Sequence, residues 1–289
     1  MFFCIPDAGA GGACHDAADM PGADLVVDFD FSRLDLMSRS GETSVLRVRP
    51  RSPRKDDPKF ELVSTASLNP TVDQWSATGD LSSSIYFPGP VFNTSNCRLH
   101  STGSIAAETT KWVATSPPSC AEDPGGNRNG VDAFLVMRGN TGGDSGDIIG
   151  WRGGGRHLHF GQQGGAWNTG AENTSGGGSN VNFAAGSERA GSNVAEYQAN
   201  QAGGNAGYVA RFHASGSTNN AGSLASSVQP IAMGTTDNFF LGCRYWHAGA
   251  AYSIQYQGYI RRVIIFNRLL TRDERRRVGA YLRFKYGCL

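Results

Sequence analysis

The chain holds six histidines, six cysteines and 25 acidic residues from which a site could be built, so the first test is whether their spacing suits any chemistry. Hydrolysing a glycosidic bond needs two carboxyl groups about 5–10 Å apart, one of them protonated at working pH. The nearest arrangement is Asp28 with Asp30, interleaved with Val27, Phe29 and Phe31, and it has no glutamate partner. A serine nucleophile needs a histidine base and an orienting aspartate. Gly143-Asp144-Ser145-Gly146 offers the serine, but Asp147 follows where such a loop needs glycine, and neither His15 nor His100 has the neighbours of a catalytic base; the run reads as turn chemistry. His157 and His159 alternate, so one face of a strand would carry both rings. A protein zinc site takes at least three ligands, and the sequence suggests no third. Asp144 with Asp147 falls short of the six or more oxygens that calcium takes. The expectation is therefore no catalytic set, no metal and no cofactor. What remains is aromatic: Trp151, Trp167, Tyr245 and Trp246 stand near loop ends, where an amphipathic ring can stack on a sugar.

The elements that would carry these residues are short. From Gly79 onward, apolar runs alternate with Gly, Ser and Asn clusters at near-regular intervals, the pattern of a many-stranded antiparallel domain. The runs predict strands at 84–87, 111–114, 133–138, 147–152, 157–161, 180–184, 208–213, 238–243 and 259–267, with 187–202 a candidate helix. Glycine clusters at 153–155 and 176–178 suit tight hairpins because glycine takes positive φ at little cost. The C-terminus differs. Thr271-Arg272-Asp273-Glu274 is a capping box, which predicts a helix from Arg272 with Val278, Tyr281, Leu282 and Lys285 on one face, Arg275, Arg276 and Arg277 on the wetter side, and Gly287 as its stop.

The N-terminal part reads differently again. Residues 1–22 have no period and suggest an extended arm, the alternation at 25–31 suggests a half-buried strand, and the chain divides into an attachment region at 1–78 and a body at 79–289. Residues 47–59 carry six basic residues and three prolines, which suit a solvated loop, with docking on an acidic surface or a nucleic acid as the alternative. The formal charge of +1 gives no field to draw the chain to nucleic acid or an anionic membrane. No run approaches the roughly 18 apolar residues of a membrane span. The start lacks a basic n-region, so secretory export is not expected; the cysteines then read as reduced thiols, with a Cys97–Cys120 bridge left open and the sequons at Asn93 and Asn173 as loop polar clusters.

The segment from Gly258 through Ile260-Arg261-Arg262-Val263-Ile264-Ile265-Phe266 to Thr271-Arg272-Asp273-Glu274 resembles the final strand and capped helix of concanavalin A-like, laminin-G-like jelly rolls. The ending Tyr281-Leu282-Arg283-Phe284-Lys285-Tyr286-Gly287 is similar to that of such domains in phage and bacterial surface proteins. Asp132-Ala133-Phe134-Leu135-Val136-Met137-Arg138 with Ile148-Ile149-Gly150 resembles the family's central strand pair, and 238–243 the strand before its last hairpin. The resemblance implies an all-β, two-sheet antiparallel jelly-roll sandwich with a short C-terminal helix. Hydrolases of that fold carry Glu-x-Asp-x-Glu or Glu-x-Asp-x-x-Glu on one strand, and this chain has neither. It implies a non-catalytic virion component (head decoration, fibre or tail), made in a host cytoplasm, anchored through its N-terminus to capsid or tail proteins and to itself, for instance as a trimer. The alternative is a glycan-binding lectin or adhesin on a cell or particle surface. Neither reading calls for nucleic acid or membrane insertion.

Overall fold

The computed structural model describes residues 25–51, 54, 56–64, 69–74, 83–88, 97–109, 130–139, 146–153, 156–163, 166–172, 178–182, 193–202, 205–214, 217–226, 238–246, 251–253 and 256–286. The strands of the first half are β1 (Leu25–Asp30), β2 (Met37–Ser40), β3 (Ser44–Val48), β4 (Leu62–Val63), β5 (Thr71–Gln74), β6 (Ser83–Pro88), β7 (Leu99–Ser101), β8 (Val131–Gly139) and β9 (Gly146–Gly153). After them come β10 (Arg156–Gln163), β11 (Ala166–Glu172), β12 (Gly178–Asn182), β13 (Asn193–Ala202), β14 (Asn205–Ala214) and β15 (Ser217–Ser226). The last are β16 (Asn238–Leu241), β17 (Arg244–Trp246), β18 (Ala251–Ser253) and β19 (Gln257–Phe266). One turn of helix, α1 (Ala106–Thr109), precedes β8, and α2 (Arg272–Tyr286) ends the described chain.

Antiparallel pairings arrange these strands as two sheets. The first runs β1–β19–β8–β13–β14–β15. The second runs β12–β11–β10–β9–β16–β7–β4–β3–β2. They meet along one edge: β3 touches β5 at Ser44 and Thr71, β5 pairs with β6, and β6 pairs with β19 from Gln257 to Ile260. A shift in register between Ile260 and Arg262 kinks β19, and from there β1 takes the place of β6 beside it. Such a bulge re-aims a strand without ending it. The β17–β18 hairpin stands apart as a two-stranded ribbon. The whole is the expected all-β, two-sheet jelly roll with a C-terminal helix.

Alternation along the strands divides two cores. Phe29, Leu135, Tyr197, Val263 and Ile265 of the first sheet face Leu99, Trp151, Phe160, Phe239 and Leu241 of the second in the interior of the sandwich. The opposite face of the first sheet is apolar too: Phe134, Val136, Val194, Ile264 and Phe266 lie beneath Val278, Tyr281, Leu282 and Tyr286 of α2. Both faces of β8 and β19 are thus dry, which is why they read as nearly unbroken apolar runs.

Several expectations change. Residues 193–202 form β13, not a helix: β8 and β14 take its two edges, and its faces are buried by the core and by α2. Residues 217–226, between the expected strands at 208–213 and 238–243, form a further strand, β15. β8 and β9 are not a pair; they belong to different sheets. The described residues between 25 and 74 are hydrogen-bonded into both sheets and share their core, so the division at 78/79 has no counterpart in the strand pairings. β1 is buried rather than half buried because Lys285 and Tyr286 of α2 close over its outer face at Asp30. Residues 1–22, 111–114, Cys120 and the sequons lie outside the described residues.

The basic segment folds back on the protein. A one-turn 3-10 helix, Pro58–Phe60, capped by the Asp57 carboxylate accepting from the Lys59 amide, drives Phe60 into the core. Arg54 and Lys59 lie over its ring at 5.2 and 5.4 Å. Arg47 pairs with Glu61 at 3.1 Å, Arg54 and Lys59 pair with Glu108, and Arg51 reaches Asp30 at 3.2 Å. These cations are answered from within the chain.

Candidate functional site

Asp28 and Asp30, the pair that spacing brought forward as carboxylates, lie on the face of β1 that α2 covers. Arg262 donates to both oxygens of Asp28 at 2.8 Å, and its third nitrogen donates to the Tyr281 hydroxyl at 3.2 Å. Asp30 accepts from Lys285 at 3.0 Å, from the Tyr286 hydroxyl at 3.0 Å and from Arg51 at 3.2 Å, with the Ser32 hydroxyl a further donor. Burial opposes the Asp30 charge, but the Lys285 and Arg262 cations and the hydrogen bonds from Ser32 and Lys285 outweigh it and bring the carboxyl down to about 2. Burial likewise opposes the charge of Arg262, yet the Asp28 carboxylate raises its pKa. A carboxyl held ionised by this many donors cannot serve as a general acid near neutral pH. The cluster is a latch that fastens α2 to β1 and β19.

The capping box is also in place. The Thr271 amide donates to the Glu274 carboxylate at 2.9 Å, and the Glu274 amide donates to the Thr271 hydroxyl at 3.3 Å. Arg268 adds a two-pronged grip on Glu274 at 2.7 and 2.8 Å that the sequence reading missed. Arg268, the Thr271 amide and the Thr271 hydroxyl together overcome partial burial and lower the Glu274 carboxyl to about 2. Arg275, assigned to the wet side, is buried and reaches Glu196 of β13 at 3.4 Å.

Of the four aromatic candidates, Trp151 has to be withdrawn. It is 1% exposed, its ring packs on Tyr197 and Phe239, and its indole N–H donates to the Thr109 hydroxyl at 2.8 Å. No face is left for a sugar. Trp167 stands opposite Gln162 near the β10–β11 turn, Tyr245 opposite Tyr252 and Trp246 opposite Ala251 on the β17–β18 ribbon. Their side chains, like that of His157, lie outside the described residues, as does Asp144.

The ribbon is rooted on the outer face of the second sheet. Register links one cross-strand row, His100–Phe240–Gly150–His159–Gly170, and a neighbouring row, Asn238–Arg152–His157–Glu172. The row between them, Phe239–Trp151–Leu158, is core, so His100, Phe240, His159, Asn238 and Arg152 face outward. Arg98 also faces outward, between Cys97 and Leu99 of the core. Part of this face is covered: His159 is 0% exposed, its Nε2 bonded to the Asn168 amide oxygen at 2.8 Å, and Asp147 and Asn168 are buried beside it. The cover is the ribbon. β17 packs against β9 and β10, and a Cβ at Gly150 would lie 3.6 Å from the Cys243 carbonyl as the chain crosses. Arg98, His100, Asn238 and Arg152 remain half-buried beside it, with the His100 and Phe240 rings 6.2 Å apart. Among the described residues no group of three or more His, Cys, Asp or Glu could hold a metal ion. Sequence reasoning did not bring Arg98, His100 and Arg152 to one face, because their placement depends on strand order.

No family model matches the sequence, and no curated protein matches it. Among solved structures the chain is similar to the binding domain of botulinum neurotoxin DC in complex with SialylT, at 8% identity and TM-score 0.51, over 91% of this chain and 52% of that one. It is similar to a chain described as a receptor binding domain at 8% identity and TM-score 0.50, over 90% and 51%. Domain 4 of AbnA, a GH43 extracellular arabinanase from Geobacillus stearothermophilus, in complex with arabinotriose, aligns at 10% identity and TM-score 0.49, over 89% and 98%. The chain spans about half the length of the first two. At these identities the likeness to the first two speaks to the fold alone.

Proposed function

We propose that this protein is a non-catalytic glycan-binding domain that holds an acidic oligosaccharide on the outer face of β7, β16, β9 and β10, bordered by Tyr245 and Trp246 of the β17–β18 ribbon. The observation that carries the reading is the placement of Arg98 just before β7, His100 on β7 and Arg152 on β9, half-buried on one outer face with β16 between the two strands, where the β17–β18 ribbon crosses it. A guanidinium offers a planar pair of donors matched to a sugar carboxylate, and an aromatic ring suits the C–H face of a pyranose. Strands hold such groups more rigidly than loops, so little ordering opposes binding. The binding domain of botulinum neurotoxin DC, of which 52% aligns with this chain, was solved in complex with SialylT, which supports a sialylated ligand as the first to test.

A non-catalytic role is supported by the state of the two aspartates that come nearest a hydrolytic pair, since both are committed to the α2 latch. Display outside a cell or on a particle surface follows from the ligand class. The virion role implied by the resemblance calls for an anchoring arm at residues 1–22, which lie outside the described residues; those described between 25 and 74 are strands of the sandwich.

Calorimetric titration with sialyllactose and lactose tests the proposal. Sialyllactose should bind at least tenfold more tightly, because one charge-assisted bond contributes about 1.5–3 kcal/mol and 1.4 kcal/mol is tenfold. Arg152→Ala and Trp246→Ala should each weaken it by about tenfold or more, whereas Arg276→Ala on the exposed side of α2 should not. Equal affinity for the two sugars, or silence across an array of acidic glycans, would end this reading.

A further inference from the structure

Tyr86 of β6 stands opposite Tyr259 of β19, and the register carries this row to Thr71 of β5 on one side and Arg138 of β8 on the other. Their chain neighbours Ile85, Phe87, Ile260 and Met137 belong to the interior core, so the row Thr71–Tyr86–Tyr259–Arg138 lies on the outer surface. It crosses the edge where the two sheets meet. The helix α2 ends at Tyr286, whose carbonyl accepts from Arg261 at 3.4 Å, and Tyr259 is half-buried at the margin of the core beneath that helix.

The two tyrosine rings are 4.8 Å apart between centroids, tilted by 41°, and both remain half-exposed. The Tyr259 hydroxyl donates to the Asp73 carboxylate at 3.3 Å; burial and the Asp73 charge raise the phenol above its usual range, so it stays a donor. Asp73 and Arg138 are themselves exposed. The backbone beneath is held in place. The Asp73 carbonyl accepts from the buried Ser84 hydroxyl at 3.1 Å, and the Tyr259 carbonyl accepts from the Tyr256 hydroxyl at 3.4 Å. Gly258, where a Cβ would strike the Arg138 carbonyl, lets β19 run close against β8.

Charge selects the ligand. An organic cation suits tyrosine faces and a carboxylate, but it would meet Arg138 in the same row. An anionic sugar suits Arg138, but it would meet Asp73 beside the Tyr259 hydroxyl. A neutral sugar can use every group: its C–H face packs on the phenol rings, its hydroxyls donate to the carboxylate, and its oxygens accept from the guanidinium.

We propose that Tyr86, Tyr259, Asp73 and Arg138 form a second carbohydrate site, which takes a neutral pyranose with flat C–H faces such as a β-glucoside. It uses other strands than the acidic-glycan surface of β7, β16, β9 and β10 and stands independently of that reading. An exposed platform of this size suits a single sugar bound with a dissociation constant on the order of 1–10 mM.

The test is saturation-transfer NMR on the full chain with methyl β-D-glucopyranoside, and with sorbitol, an open-chain polyol without a ring face, as the control. The expected result is transfer to the ring C–H protons of the glucoside, saturable in the millimolar range, and none to sorbitol. Tyr86→Ala and Asp73→Ala should each weaken binding at least about threefold. Asp73 is exposed, so the second variant reads the site even where the first does not fold, and its melting temperature should match the parent's. Arg152→Ala should leave glucoside binding unchanged, which separates this site from the one on the second sheet. Absence of transfer at about 20 mM glucoside, equal transfer to sorbitol, undiminished binding by Asp73→Ala, or loss of binding in Arg152→Ala overturns the proposal. So does a sedimentation coefficient that drops in Tyr86→Ala while the parent ignores the glucoside, since the tyrosines would then be a contact between copies of the chain.

Discussion

Asp28→Asn should cost this protein a large part of its stability. Arg262 is 2% exposed and has two charge-assisted bonds to Asp28 at 2.8 Å. Removing one partner of a buried ion pair costs about 3–5 kcal/mol, most of it the desolvation of the charge left behind. The lower end applies, since Asp30 lies close enough for Arg262 to lower its pKa and Tyr281 still accepts a bond. About 3 kcal/mol is a third or so of the roughly 5–15 kcal/mol available to a domain, and it corresponds to about 6–12 °C in melting temperature. Urea unfolding at pH 7 should show the midpoint falling with an unchanged m-value. Asp28→Val combined with Arg262→Met should return to within about 1 kcal/mol of the parent, because a well-packed apolar replacement of a buried pair is close to neutral. A single substitution costing less than about 1 kcal/mol, or a double variant as unstable as the two singles summed, would refute the latch argument.

Acid should loosen α2 at both ends. The folded-state carboxyls of Asp30 and Glu274 are lowered to about 2 from ordinary values of 3.8 and 4.5, so their contribution is complete above pH 4.5 and is lost as pH falls toward 2. For buried Asp30 the loss is about 2 kcal/mol; Asp30→Asn should flatten the pH–stability curve over that window, and amide exchange in 272–286 should accelerate there, whereas an unchanged slope counts against the assignment. Gly258→Ala should destabilise by about 1–3 kcal/mol, measured by thermal unfolding, since a Cβ would press on the Arg138 carbonyl and φ is 153°; a neutral result would show that β19 can shift there.

How much of this was legible depended on whether the deciding forces were local. The capping box was readable because Thr271 and Glu274 are three residues apart and need only each other. The strands β6, β8, β9, β10 and β14 announced themselves through apolar alternation. β15 did not, because Ser217–Ser226 has few apolar residues and is held by its register with β14. Residues 193–202 looked helical for a related reason: an element buried on both faces loses the two-residue period. The burial of Trp151 hinges on Thr109, Tyr197 and Phe239, all distant in sequence. The outward rows of the second sheet depend on β16 lying between β7 and β9, an order that no local pattern encodes.

That order also limits where a ligand can meet the described residues. A two-sheet sandwich has two outer faces. On the first sheet, the face spanning β1, β19, β8 and β13 is occupied by α2, closed by apolar packing and by ion pairs at Asp28, Asp30 and Glu196. Opening it would expose Phe134, Ile264 and Phe266 and uncouple buried charges, a cost that ordinary ligand binding does not recover. The second sheet is built the other way. Its outer rows contain Gly150 and Gly170 where side chains would fill the space, and its half-buried residues are cations and amides. A short ribbon, not a helix, covers part of it. A surface built from backbone, guanidinium and imidazole can be wetted and dried again at little cost, so the asymmetry between the two covers favours the second sheet as the binding face.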